Sequence, residues 1–109
     1  MLNEGKISQI KRGLKSQRVS QLPQLFNALG EKNRFLIFKL LMSHNVLCPT
    51  DLAKILNLSI PAISHQCKNL LLTQVVVKER MGRMNCFSLN RANPVVRALI
   101  KFLSGHETA

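Results

Sequence analysis

The chain is expected to be a mainly α-helical domain carrying one small β-hairpin, in the order α-α-α-α-α-β-β-α, on three observations. Residues 51 to 68 hold two short helical patterns separated by the break Asn57-Leu58-Ser59. Residues 22 to 43 repeat apolar side chains at helical spacing. Residues 75 to 89 contain β-branched and alternating apolar positions around Met81-Gly82-Arg83. A chain of 109 residues forms one domain with a single modest core.

The first helix is expected over residues 6 to 18, with a narrow apolar stripe of Ile7, Ile10 and Leu14 and with Lys6, Lys11, Arg12, Lys15 and Arg18 around it. A thin stripe on a terminal helix buries against a neighbour, and in a small protein that neighbour can be a second copy of the chain. Leu22, Leu25, Phe26 and Leu29 form a second helix at i, i+3, i+4, i+7, closed by Gly30 as a left-handed stop. Residues 32 to 43 follow as the central helix, with Phe35, Leu36, Phe38, Leu40 and Leu41 apolar on nearly all sides.

The fourth helix runs from Pro49, which needs no backbone donor in a first turn, to Leu56, with Leu52, Ala53, Ile55 and Leu56 inward. Asn57 sits where a left-handed residue is required. Ser59 caps the next helix, whose inner positions are Ile63, Cys67, Leu70 and Leu71. Its other face carries Ala62, His65, Lys68 and Asn69, small, polar and cationic groups that suit a major groove about 12 Å wide. Together these make a helix-turn-helix. In the hairpin, Phe87 and Leu89 share one face, while Lys78, Arg80 and Arg83 cluster on a protrusion able to touch the backbone or minor groove. Asn93-Pro94 opens a last helix with an apolar face of Val95, Leu99, Phe102 and Leu103, ended by Gly105.

Sixteen Lys and Arg against five Asp and Glu give a net charge of +11, a field that attracts polyanions. The longest apolar runs, residues 35 to 38 and 40 to 42, fall far short of the roughly 18 residues that span a bilayer. The basic first 18 residues lack a secretory core and read as an amphipathic helix rather than a transit peptide. Three cysteines, with no C-x-x-C pair, argue against a disulfide framework and fit a reducing cytoplasm. Whether any two of them bond is a matter of Cα separation, which spacing does not give. Cys67 is a small core residue, and Cys86 alternates opposite Phe87, a register open to exposure. Three His, five acids and no phosphate loop or nucleophile elbow leave no catalytic constellation. RNA binding is a weaker option, because Trp and Tyr are absent and the five Phe mostly fit core positions.

The element order is that of a winged helix with flanking helices, and residues 22 to 103 resemble the ArsR/SmtB family of repressors. The resemblance is carried by three blocks in order. The first is Leu25-Phe26-Asn27-Ala28-Leu29-Gly30 with Asn33-Arg34-Phe35-Leu36-Ile37. The second is Asp51-Leu52-Ala53 with Leu58-Ser59-Ile60-Pro61-Ala62-Ile63-Ser64-His65, and the third Arg80-Met81-Gly82-Arg83 before Phe87-Ser88-Leu89. It implies a homodimer held by the first and last helices through Ile7, Ile10, Leu14, Val95, Leu99, Phe102 and Leu103. Two reading helices then meet an inverted-repeat operator in double-stranded DNA about a turn apart.

The implied organisation is a dimerisation arm over residues 1 to 20, a DNA-binding core over 21 to 92, and a dimerisation helix and tail over 93 to 109. Implied DNA contacts come from Ser59, Ile60, Ala62, Ser64, His65, Lys68, Asn69, Lys78, Arg80 and Arg83. Family members repress without ligand and release DNA when an inducer shifts the dimer to a weaker-binding conformer.

The chain departs from that pattern where sensing matters. Cys48 matches the first cysteine of the family's metal box, but Thr50 replaces the second. The last helix offers Asn90, Arg91, Asn93 and His106 in place of the family's Asp and His pairs. No metal and no cofactor are expected, and His44 reads as a helix-end residue. Cys48 before Pro49 occupies an N-cap, where dipole and amides favour a thiolate. It is a candidate thiol sensor, weighed against a plain cap, and the inducer, small molecule or oxidant, stays open. Leu71 and Leu72 stand where the family has charge, Gln74 where it has a helix-ending Gly, and Ile60 where a polar residue is usual. A winged-helix architectural or adaptor protein, binding DNA non-specifically or a protein through Leu71 and Leu72, is the alternative.

Overall fold

The computed structural model describes residues 1–105, so His106 lies outside the described residues. The elements in chain order are α1 (Glu4–Gly13), α2 (Gln17–Leu29), α3 (Lys32–Ser43), α4 (Pro49–Leu56), α5 (Ile60–Leu72), β1 (Val76–Met81), β2 (Met84–Leu89) and α6 (Pro94–Gly105). The order is the expected one, a winged helix-turn-helix with flanking helices. The first boundary moves. The helix expected over 6 to 18 ends at Gly13, and α2 begins behind Ser16, whose hydroxyl accepts from the Val19 amide at 3.3 Å. A serine in extended backbone competes for those amides and restarts the helix in a new direction.

Gly30 closes α2, but with φ −76°, in right-handed rather than left-handed backbone. The chain passes directly into Glu31, the N-cap of α3, and a left-handed residue there would turn it away. The Glu31 carboxylate accepts from the Arg34 amide at 2.9 Å, and that hydrogen bond holds its pKa below the usual carboxylate value.

The core forms where α3 crosses α5 and the hairpin. Ile37, Phe38 and Leu41 of α3, Leu52 of α4, Ile63 and Leu70 of α5, Val75 and Val96 are fully buried. Leu52 and Ala53 face inward as expected, but Ile55 is 52% exposed. An eight-residue helix packs only about one stripe, and Ile55 lies outside it. The five phenylalanines do not fill the core either: Phe38 and Phe87 are buried, whereas Phe26, Phe35 and Phe102 are exposed and line one groove. Val96, which the helical spacing from Val95 passed over, is the buried residue of α6.

Cys67 is 1% exposed, and burial pushes its thiol up to about 11. Once unfolded, the thiol ionises near its ordinary value of 9.0 while the folded chain still holds the proton. Stability therefore falls as pH rises from about 9 towards about 11. Thermal unfolding followed across that window should show the decline, and Cys67→Ala should flatten it.

α5 leaves through Thr73 into Gln74, whose φ of +63° is left-handed. That is the position where the resembled family has glycine, and here the left-handed backbone is adopted despite a side chain. The Asn90 and Asn93 side-chain amides donate to the Gln74 carbonyl at 3.0 and 3.1 Å and hold the turn. Gln74→Gly, which relieves the Cβ conflict, should raise stability by about 1 kcal/mol in denaturant unfolding.

The hairpin is antiparallel, with Val76 opposite Leu89, Lys78 opposite Phe87 and Met81 opposite Met84. Gly82, at φ +62°, supplies the left-handed residue that a two-residue turn needs. Leu47 adds a short third edge to β2: its amide donates to the Phe87 carbonyl at 3.1 Å and its carbonyl accepts from the Phe87 amide at 2.9 Å. Beside that bridge Cys48 and Cys86 form a disulfide, with Cα atoms 4.1 Å apart and a separation of 38 positions in sequence. The pairing that spacing left open is thus Cys48 with Cys86, one bond against the expectation of no disulfide framework, and Cys86 is completely buried rather than exposed. The folded wing returns β2 to the start of α4, a proximity that cysteine spacing does not encode.

Candidate nucleic-acid interface

Three residues, Asn57, Leu58 and Ser59, separate α4 from α5. Asn57 takes φ +57°, the Leu58 amide donates back to the Ala53 carbonyl at 3.0 Å, and Ser59 accepts from the Ala62 amide at 3.2 Å. Both the left-handed turn and the serine cap are as expected. The cap uses the Ser59 oxygen as acceptor and leaves its O–H to donate outward, the polarity a phosphate needs.

Ile63, Cys67 and Leu70 anchor α5, so its exposed stripe is Ser64, His65, Lys68 and Leu72, with Ile60 and Pro61 at the N-terminal end. The structure does not place all expected reading residues there. Ala62 and Asn69 are only partly exposed, and the Asn69 Oδ1 is buried without a hydrogen-bond partner. Asn69 lies next to Leu70 and one turn from Thr73, whose hydroxyl donates to the Asn69 backbone carbonyl at 2.9 Å, so it sits at the edge of the core. Leu72 is 73% exposed on the same stripe as His65, neither under the wing nor against the core.

On the wing, Lys78, Arg80, Arg83, Met81 and Met84 are exposed. The Arg80 Nε donates to the Gly82 carbonyl at 2.9 Å, which draws its guanidinium over the tip. Cations thus cluster at the end of a hairpin that leaves directly from the reading helix.

The charge balance sharpens this surface. Glu31 and Asp51 are used as helix caps, Asp51 accepting from the Cys48 amide at 3.1 Å, and Glu79 accepts from the Ser88 hydroxyl at 2.9 Å. These three acids are engaged in local structure while Lys68, Lys78, Arg80 and Arg83 are exposed, so the field at this surface is positive.

Two features escape sequence reading. Lys54, exposed on α4, adds a cation on the first helix of the pair. Arg34 on α3 donates through Nε to the Ala28 carbonyl at 2.6 Å and through a terminal nitrogen to the Gln66 side-chain oxygen at 3.0 Å. It ties the reading helix to the end of α2 across 32 residues of sequence. Only its charge at a half-buried helical position hinted at such a role.

Cys48 is the N-cap of α4, as expected, but its sulfur is bonded to Cys86 and has no thiol to ionise in this form. Among the described residues no group of three or more His, Cys, Asp or Glu is placed to hold a metal ion. Among the same residues no helix is long and apolar enough to cross a membrane.

Outside this surface, α1 buries no residue, and Ile10 on it is exposed, as are Leu2 before it and its C-cap Leu14. The molecule extends to 57 × 32 × 22 Å with a radius of gyration of 17.3 Å, against about 13 Å for a compact chain of this length. An apolar groove of 280 Å³ runs between Phe26, Leu29, Phe35, Leu99, Phe102 and Leu103.

Residues 31–72 match the family described as bacterial regulatory protein, arsR family. Among solved structures the chain is similar to reduced HlyU from Vibrio cholerae, with TM-score 0.72 and 22% identity over 85% of this chain and 95% of that one. It is also similar to the transcriptional repressor PagR of Bacillus anthracis, with TM-score 0.68 and 26% identity over 79% and 95%. A third is the homodimeric winged helix-turn-helix DNA-binding domain of a possible ArsR-family regulator from Mycobacterium bovis, with TM-score 0.68 and 18% identity over 84% and 85%.

Proposed function

We propose that this chain, whose residues 31–72 match the arsR family of bacterial regulatory proteins, is a winged helix-turn-helix transcriptional regulator rather than an enzyme, and that it represses transcription as a homodimer on an inverted-repeat operator. The observation that carries the reading is the exposed stripe of Ser64, His65 and Lys68 on a helix anchored from behind, flanked by the cations of the wing. His65 reads a base edge. Lys68 and Ser59 bind phosphates, and Lys78, Arg80 and Arg83 bind the flank. Ser64 sits beside His65 as a further phosphate donor, and Ile60 and Ala62 offer apolar contact to thymine methyls. Asn69 takes a lesser part, because one of its two polar atoms is turned into the protein.

Pairing is supported by α1. A ten-residue helix is marginal in water by itself, so its Ile10 and Leu14 side need cover from another surface. Ile7, Val95, Leu99 and Leu103 are half-buried, and Phe102 is 59% exposed. Phe26 and Phe35 extend that face and join the residues expected from sequence. Cytoplasmic placement goes with DNA binding in this reading. We place no metal in it, since the one metal-box cysteine is bonded to Cys86.

Selection from a random duplex pool tests the proposal, with sedimentation to give the oligomeric state. A palindromic motif bound by two protomers is the expected result. A featureless pool, or single protomers with duplex present, would reject it in favour of an architectural or adaptor role through Leu72. His65→Ala should lose about 1–3 kcal/mol of operator preference while binding random duplex nearly as before. Equal losses on both duplexes would remove His65 from base reading.

A further inference from the structure

One sulfur of the Cys48–Cys86 bond belongs to the N-cap of α4, the first helix of the reading unit, and the other to β2 of the wing. Next to it run the two backbone hydrogen bonds between Leu47 and Phe87. The cations of the wing and the stripe of α5 are therefore held in one relative placement by a covalent bond and a two-bond bridge at the same point. Opening the bond leaves the bridge and the packing of Phe87 and Leu89 as the hold.

We propose that Cys48 and Cys86 form a thiol-exchange site that sets how firmly the wing is held beside the reading helix, the oxidised form binding DNA more tightly than the reduced form. The inference rests on the DNA-binding reading above and names its regulation. A covalent tie removes wing excursions in the free protein, so less freedom is lost when DNA is bound. Reduction restores that freedom.

The two sulfurs differ in access. Cys86 is completely buried, whereas Cys48 is half-buried at a helix end. A low-molecular-weight thiolate therefore attacks the Cys48 sulfur, breaking its bond to Cys86 and forming a mixed disulfide. The departing Cys86 sulfur takes up a proton. A second thiolate attacks the outer sulfur of the mixed disulfide and releases Cys48, which is protonated in turn. Two thiols become one small disulfide, and the protein gains two protons and two electrons. The reverse sequence, with the small disulfide as oxidant, restores the bond. Cys67 is fully covered and stays protonated at neutral pH, so it does not compete.

The test uses the full chain, untreated and treated with dithiothreitol, on a duplex of random sequence. Treatment should add the mass of two hydrogens, weaken binding by about fivefold to tenfold, and speed hydrogen exchange at the Leu47 and Phe87 amides. Cys48→Ser and Cys86→Ala should bind like the reduced form under both conditions, and Cys67→Ala should keep the response. An unchanged mass, equal affinities or equal exchange overturns the proposal. Loss of helical circular dichroism on reduction also overturns it, because the change is then unfolding. If neither form binds duplex, the DNA-binding reading fails separately, and exchange at Leu47 and Phe87 alone decides whether the bond governs the wing.

Discussion

Lys68→Ala combined with Arg83→Ala should weaken binding to every duplex by about a thousandfold at 0.1 M salt. Both side chains are exposed, one on the outer stripe of α5 and one at the wing tip, and the proposed dimer would carry each twice. Each phosphate contact contributes about 0.9 to the slope of log affinity against log salt, so four lost contacts flatten it by roughly 3.6. The measurement is a salt titration of duplex affinity for the native and doubly substituted proteins. The slope carries the information, since misfolding would remove binding altogether, whereas lost phosphate contacts leave weaker, less salt-sensitive binding. A slope that stays steep while affinity falls would take Lys68 and Arg83 off the backbone. The result also separates affinity from specificity, because His65→Ala should act on sequence preference instead.

Reducing the Cys48–Cys86 bond should lower the free energy of unfolding by about 4 kcal/mol, the chain-entropy expectation for a loop closed across 38 residues. The loop encloses α4, α5 and β1, so nearly the whole reading unit lies inside it. Urea unfolding with and without reductant measures the difference, and Cys86→Ala should reproduce most of it. A change below about 1 kcal/mol would mean that the unfolded chain is already compact around this loop. The two effects of the bond are separable. Stability depends on the length of chain enclosed, whereas DNA affinity depends on where the bond lies between wing and helix.

Periodicity was enough for most of the architecture. The repeat of Ile63, Cys67 and Leu70 marks the buried side of α5, and with it the side left for His65 and Lys68. Asn57 and Ser59 mark the turn through their local conformational preferences, which need no distant partner, and both hold. Boundaries were less secure. Ser16 interrupts what reads as one helix, because a cap and a polar helical residue look the same until a neighbour chooses.

Residues with no local signature were the least legible. Ile55 and Phe102 are as apolar as Leu52 and Leu99, yet each is more than half exposed in the single chain, since apolar spacing says which side of a helix is greasy and not what covers it. Asn69 has the type and spacing of a base-reading residue, but its position beside the buried Leu70 covers its oxygen.

From its residues alone this chain had to be a basic helix-turn-helix with a cationic wing, because helical spacing, caps, turn residues and net charge are properties of short segments or of composition. Contacts between segments far apart in the chain needed the fold: Cys48 with Cys86, Leu47 with Phe87, and Arg34 with Gln66. Each joins residues 32 or more positions apart in sequence, and whether such groups meet depends on how packed helices and a returning strand bring them within bonding distance.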